Sequence, residues 1–154
     1  MFSYPRAPAS ARVSRINSSI HPYLNFASET AETLGFYQTL FGGELQVLTF
    51  AMAHAVPEDS PNAGLAMHAE LRSPLLTILA SDSPEGMAPE PVRRGNDMSL
   101  CVVTDDEEQG AAWFAALAEG GTVTMPFDRQ MWGDMFGMLI DRFGIRWMVN
   151  VHRA

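Results

Sequence analysis

The chain has 154 residues, 47% of them apolar and 18% charged, with a formal net charge of −8. That length suits one domain or two small fused halves, and a chain this size buries roughly 70% of its unfolded surface, enough for a core without staples. A single cysteine excludes an intramolecular disulfide and a multi-thiolate metal site. The acidic balance argues against a nucleic-acid partner, and with all ten basic residues arginine and no lysine, Schiff-base chemistry and a phosphate-loop NTPase are excluded.

Residues 1–19 hold Arg6, Arg12 and Arg15, no acid, and much Ser, Ala and Pro. They are expected to form a disordered basic N-terminal tail; the same composition is compatible with an organellar transit peptide. No apolar stretch resembles a secretory signal, and no run approaches the ~20 residues of a membrane span. No membrane partner is expected, and the cytoplasm is the expected location.

From residue 20 the pattern sharpens. Ile20, Pro22, Leu24 and Phe26 alternate with His21, Tyr23 and Asn25, the period of a half-buried strand. Ser28 or Thr30 then caps a helix expected over 28–41, with Glu29 and Glu32 at its positive end. Ala31, Leu34, Tyr37 and Phe41 form its apolar stripe, and Gly42-Gly43 stops it. Glu44–Phe50 reads as a strand, 51–64 as a loop, and Leu65–Arg72 with Leu75–Ser81 as a hairpin closed by Ser73-Pro74. Residues 82–95 read as a linker.

The same grammar then restarts. Met98–Val103 is a strand, and Thr104–Glu108 opens an acidic helix expected over 105–119 with Gly110, Trp113, Phe114 and Leu117 on one face. Gly120-Gly121 stops that helix, and Thr122–Met125, Gly133–Asp141 and Ile145–Val151 are further strands. The chain therefore reads as an α+β protein of two βαβββ units, 20–83 and 96–152, within a single domain spanning 20–152. Neither unit buries a sheet face alone, so the two are expected to pair with helices outside and concave sheet faces around a cavity.

In the hairpin, His68 and Glu70 lie two apart and point to one face. A Ser73-Pro74 turn sets Glu70 opposite Thr77 and His68 opposite Leu79. The other face, with Met67, Ala69, Leu71, Leu76, Ile78 and Ala80, is wholly apolar. A cavity histidine with a carboxylate neighbour suits general-base work, its basicity raised by the negative charge; the same pair also suits a hydrogen-bonded couple satisfying the sheet interior or a dimer seam. Tyr23 and Asn25 share the face of His21, placed to bind a ligand oxygen or each other. Cys101 reads as a buried inert thiol. Arg146, Met148 and Asn150 alternate with Trp147, Val149 and Val151 on the last strand and are expected in the cavity. Arg146 serves there as an anion anchor or as partner to Glu70 or Asp97. Trp132, Phe136 and the methionines read as core and lining.

Several stretches resemble the PhnB-like branch of the vicinal oxygen chelate superfamily, which includes glyoxalase I, extradiol dioxygenases and bleomycin-resistance proteins. They are PYLNF (22–26), FYQTLFGGEL (36–45), MHAEL (67–71), LASD (79–82), GGTVTMP (120–126) and WGDMFGMLIDRFGIRWMVN (132–150). The resemblance implies a homodimer and a small-molecule ligand. It also carries along the label 3-demethylubiquinone methyltransferase, which the sequence does not support: no Gly-rich loop follows a first parallel strand. Metal enzymes of the superfamily place one His or Glu on the first and last strand of each unit. Laid on this sequence, the pattern falls at His21, near Leu79, at Asp97 and at Met148. A hydrocarbon and a thioether are poor ligands for a hard or borderline divalent ion, so no metal cofactor is expected. If a divalent metal is present, its set is His21, His68, Glu70 and Asp97.

Three functions stay open. The favoured one is metal-free small-molecule binding through Tyr23, Asn25, Thr77, Arg146, Met148 and Asn150, with His68 and Glu70 available for catalysis. The others are a metal-dependent lyase, isomerase or dioxygenase and a non-catalytic interaction module.

Overall fold

The structure, a computed structural model, describes residues 18–153. The tail expected over 1–19 falls almost wholly outside the described residues. Unit one runs β1 (Tyr23–Phe26), α1 (Thr30–Phe41), β2 (Glu44–Thr49), β3 (Ala66–Arg72) and β4 (Thr77–Asp82). Unit two runs β5 (Leu100–Thr104), α2 (Glu107–Ala118), β6 (Thr122–Arg129), β7 (Met135–Ile140) and β8 (Arg146–Val151). The two sheets have equivalent orders, β1-β4-β3-β2 and β5-β8-β7-β6, with the first and last strand of each unit parallel and the other pairs antiparallel. This is the two-βαβββ, α+β architecture expected from the repeat.

The helix ends show how the repeat is built. At α2, Asp106 caps directly, accepting the Gln109 N–H at 3.0 Å. At α1, neither Ser28 nor Thr30 caps. The carboxylate of Asp82, at the end of β4, accepts the Thr30 N–H at 3.0 Å and the Ala66 N–H at 2.8 Å. One buried side chain thus satisfies an orphan donor of the helix and fixes β3 beside it. Both Gly-Gly stops owe their second glycine to close approach: a Cβ on Gly43 would collide with the Arg72 carbonyl oxygen, and one on Gly121 with that of Ile140.

The hairpin differs from expectation in register. Ser73 to Leu76 form a four-residue turn in which the Ser73 N–H donates to the Leu76 carbonyl at 3.0 Å. Glu70 therefore faces Leu79, and Arg72 faces Thr77. The slip is two residues, so every side chain keeps its face. A register shift between Leu48 and Thr49 against β3 pairs Thr49 with Ala66; Ala66 and Ala69 take the buried places, and Met67 is only half-buried.

The packing of the units reverses the expected one. Apolar residues of both units form one core: Phe26, Leu34, Tyr37, Phe41, Leu71 and Ile78 from the first, Val102, Phe114, Leu117, Leu139, Trp147 and Val149 from the second. Trp147 of β8 lies edge-on to Tyr37 of α1, centroids 5.2 Å apart, and 5.5 Å from Phe41. Trp113 of α2 donates its Nε1–H to the Leu40 carbonyl at 3.0 Å. The helix-covered faces of the two sheets thus meet each other, and the opposite faces stay open. Large aromatic side chains drive this choice, since each buries on the order of 150–250 Å².

Candidate functional site

Each sheet presents an open face. On the first, cross-strand pairing aligns Tyr23, Leu79, Glu70 and Gln46 in one row. Leu48 stands opposite His68, and Asn25 is level with Ser81. The Tyr23 hydroxyl lies 3.2 Å from His68 Nδ1, and the Ser81 hydroxyl donates to Asn25 Oδ1 at 3.5 Å. Glu70 accepts the Arg72 Nε–H at 2.7 Å. That bond holds the Glu70 carboxyl below the usual carboxylate range, helped by the Arg72, His68 and His21 charges. The expected His68–Glu70 couple is thus divided: the carboxylate turns to Arg72 and the imidazole to Tyr23. His21 Nε2 lies 2.8 Å from Ser19 Oγ.

The second open face is richer in sulfur. Cys101, Met148, Met138 and Met125 align across all four strands, and Val103, Asn150, Phe136 and Asp128 form the neighbouring row. Cys101 is exposed, contrary to the buried thiol expected; Val102 takes the buried place. The surrounding sheet raises the Cys101 pKa by desolvation, so it stays a thiol at neutral pH.

At the end of this face lies a cluster that sequence reading missed. Asp134 accepts the Asn150 Nδ2–H at 3.1 Å and the Arg153 N–H at 3.3 Å, and its Oδ2 is 3.1 Å from His152 Nδ1. These bonds, Asn150 first, lower the Asp134 pKa. The available signal was parity: His152 follows Asn150 by two residues.

The remaining expected residues gather elsewhere. Arg146 donates its Nε–H to the Gly95 carbonyl at 3.0 Å, and with Asp97 and Tyr23 it lines a cavity at the junction of the units. Arg146 therefore partners neither Glu70 nor Asp97 in an ion pair among the described residues. Thr77 stands opposite Arg72 at the hairpin end. Tyr23 and Arg146 share the junction cavity, whereas His68 and Glu70 belong to the first sheet and Met148 to the second.

Among the described residues, no three His, Cys, Asp or Glu side chains converge to hold a divalent metal. Of the four framework positions, Leu79 and Met148 supply no hard donor, and Asp97 sits at the unit junction. The residues present do not fit the superfamily's metal.

Residues 19–149 match the model of the Glyoxalase/Bleomycin resistance protein/Dioxygenase superfamily. The chain belongs to this superfamily. Among its relatives, Protein YjdN of Escherichia coli (strain K12) is 30% identical over 144 residues, covering 86% of this chain and 94% of that protein. The crystal structure of protein PA1353 from Pseudomonas aeruginosa superposes with a TM-score of 0.76 at 33% identity, over 89% of this chain and 99% of that one. A PhnB protein from Bacillus cereus, described as a putative 3-demethylubiquinone-9 3-methyltransferase, shares the fold at a TM-score of 0.73 and 24% identity, over 88% and 100% of the two chains. The glyoxalase-superfamily fold thus accounts for the repeat, the parallel pairing of the first and last strand of each unit and the two open faces.

Proposed function

We propose that the chain is a cytoplasmic, metal-free small-molecule binder that works as a homodimer. The ligand sits between the first open face of one protomer and the second open face of its partner. The observation that carries this reading is the complementary chemistry of those faces: paired hydrogen-bonding groups on one (Tyr23 with His68, Asn25 with Ser81) and a row of thioethers on the other. Such a pair suits an amphipathic ligand, polar at one end and apolar at the other, because Met side chains adapt to varied apolar shapes. Leu48, Val103 and Met125 are exposed in the single chain, the apolar surface that a second copy would cover.

Methyl transfer forms no part of the reading, since the turn after β1, Ala27-Ser28-Glu29, has no glycine to let a nucleoside cofactor approach the backbone closely. The metal-dependent alternative draws on one observation: the His21 and His68 charges both act on Glu70. It requires Glu70 to leave Arg72.

Nile red, a neutral amphipathic dye, tests the proposal. Saturable fluorescence enhancement at one dye per protomer is expected, lost in Met138→Glu and reduced in His68→Ala, with circular dichroism unchanged. Enhancement unaffected by either substitution would overturn the placement of the site.

A further inference from the structure

We propose that the junction between the two units is a binding site for a small oxyanion bearing carboxylate or phosphate chemistry, sharing Tyr23 with the first open face but held by arginines that the reading above does not use. A cavity of about 330 Å³ there is lined by Arg93, Arg94 and Arg146 together with Tyr23, Asp97 and Gly144. An adjoining recess shares Arg94, Gly95, Gly144 and Arg146. Three guanidiniums therefore meet one hollow in a chain whose net charge is −8. Among the described residues none of the three forms an ion pair, although Arg72, Arg129 and His152 all do. Like charges gathered with no carboxylate in ion-pair contact repel one another, and a bound anion relieves that repulsion.

Two of the arginines are already fixed. Arg94 donates Nη1–H to the Asn25 carbonyl at 2.8 Å, and its guanidinium lies 5.0 Å over the Phe26 ring. Its stem rests on Gly144, where φ is +84° and a Cβ would stand 3.2 Å from Arg94 Nε. Arg146 is held through its Nε–H on the Gly95 carbonyl. Each hold uses one of five donors; no other hydrogen bond of these two guanidiniums is present among the described residues. Arg93 is exposed and makes no side-chain hydrogen bond among the described residues, so it is free to close on the anion. The hollow accommodates phosphate or a small dicarboxylate, and planar guanidiniums bind either bidentately. Asp97 on the lining opposes binding and tunes it.

The test is a titration of the ¹⁵N-labelled full chain at pH 7, with inorganic phosphate and separately with malonate, chloride holding ionic strength constant. Saturable shifts of the Gly95 and Asn96 amides and of the Arg94 and Arg146 Nε–H signals are expected with at least one anion, and the tighter one identifies the ligand class. Arg93→Gln/Arg146→Gln should weaken that binding by roughly tenfold or more, while Asp97→Asn should tighten it severalfold by removing a like charge. If the double variant loses spectral dispersion, Arg93→Gln alone carries the test and should still weaken binding by about threefold. Shifts that never saturate, that chloride reproduces, or that survive these substitutions unchanged would overturn the site.

Discussion

Tyr37 of α1 and Asp141 in the β7–β8 turn lie 104 residues apart, and the Tyr37 hydroxyl donates to Asp141 Oδ2 at 2.5 Å, both residues being buried. The same carboxylate accepts the Trp147 Nε1–H at 2.9 Å and the N–H groups of Phe143 and Ile145 at 2.9 and 3.0 Å. One side chain thereby shapes the turn of unit two and anchors the helix of unit one. This is the polar lock that sets the helix faces of the two units against each other and leaves the opposite sheet faces open.

Removing either end of this lock should cost unequally. Tyr37→Phe keeps the ring packing and leaves Asp141 three donors, so about 1–3 kcal/mol is expected. Asp141→Ala strands a buried hydroxyl, an indole N–H and two amides, and should cost about 3–5 kcal/mol. Urea unfolding of both variants checks this; equal losses would show that the network is not shared as described.

Stability should also depend on alkaline pH through Tyr37. Its folded-state pKa lies far above the ordinary tyrosine value, first through burial and then through the Asp141 charge. A raised pKa means that stability is full below the unfolded value of about 10 and falls as pH rises above it, because only the unfolded chain releases the proton. The unfolding free energy of the wild type, measured by urea titration, should drop between pH 10 and 11, with a slope approaching about 1.4 kcal/mol per pH unit from this group. Tyr37→Phe should flatten that drop; an unchanged profile would contradict the assignment.

Face assignment gives a paired contrast. Ile78 and Trp147 are buried, whereas Leu79 and Met148 sit on the open faces. Ile78→Glu or Trp147→Glu should abolish folding, since an unpaired buried carboxylate costs several kcal/mol. Leu79→Glu and Met148→Glu should lower the thermal midpoint by only a few degrees. Collapse of the second pair would place the faces one residue out.

Much of this was legible in the sequence, and the reasons are local. The Gly42-Gly43 and Gly120-Gly121 stops and the stripes of Leu34, Tyr37, Phe41 and of Phe114, Leu117 mark both helices by chemistry that acts within a few residues. The faces of β4 and β8 follow from alternation alone. The hairpin register does not, because the sequence of Ser73-Pro74-Leu75-Leu76 suits a two-residue or a four-residue turn, and only the backbone bond from Ser73 to Leu76 decides. Which faces of the units meet is also hidden: alternation marks Trp147 as buried without saying that α1 of the other unit covers it. At the site, the shared faces of His68 with Glu70 and of Tyr23 with Asn25 were readable; the diversion of Glu70 to Arg72, two residues on, is a choice of side-chain rotamer that alternation does not fix, and the meeting of Arg93 and Arg94 with Arg146 depends on contacts distant in sequence.

Metal affinity should be weak. Calorimetric titration of chelator-treated protein with zinc, nickel or manganese is expected to show no stoichiometric submicromolar binding, because thioether and hydrocarbon stand where carboxylate or imidazole would be needed. Submicromolar binding lost in His21→Ala or His68→Ala would reinstate the metal-dependent reading.

Two copies complete, on the proposed reading, the binding faces that one copy leaves open. Sedimentation equilibrium of the full-length wild type at micromolar concentration tests this most directly. About twice the 16.9 kDa chain mass is expected, shifting toward the monomer in Val103→Asp, which puts a charge on the exposed second face. A wild-type mass equal to one chain would contradict it.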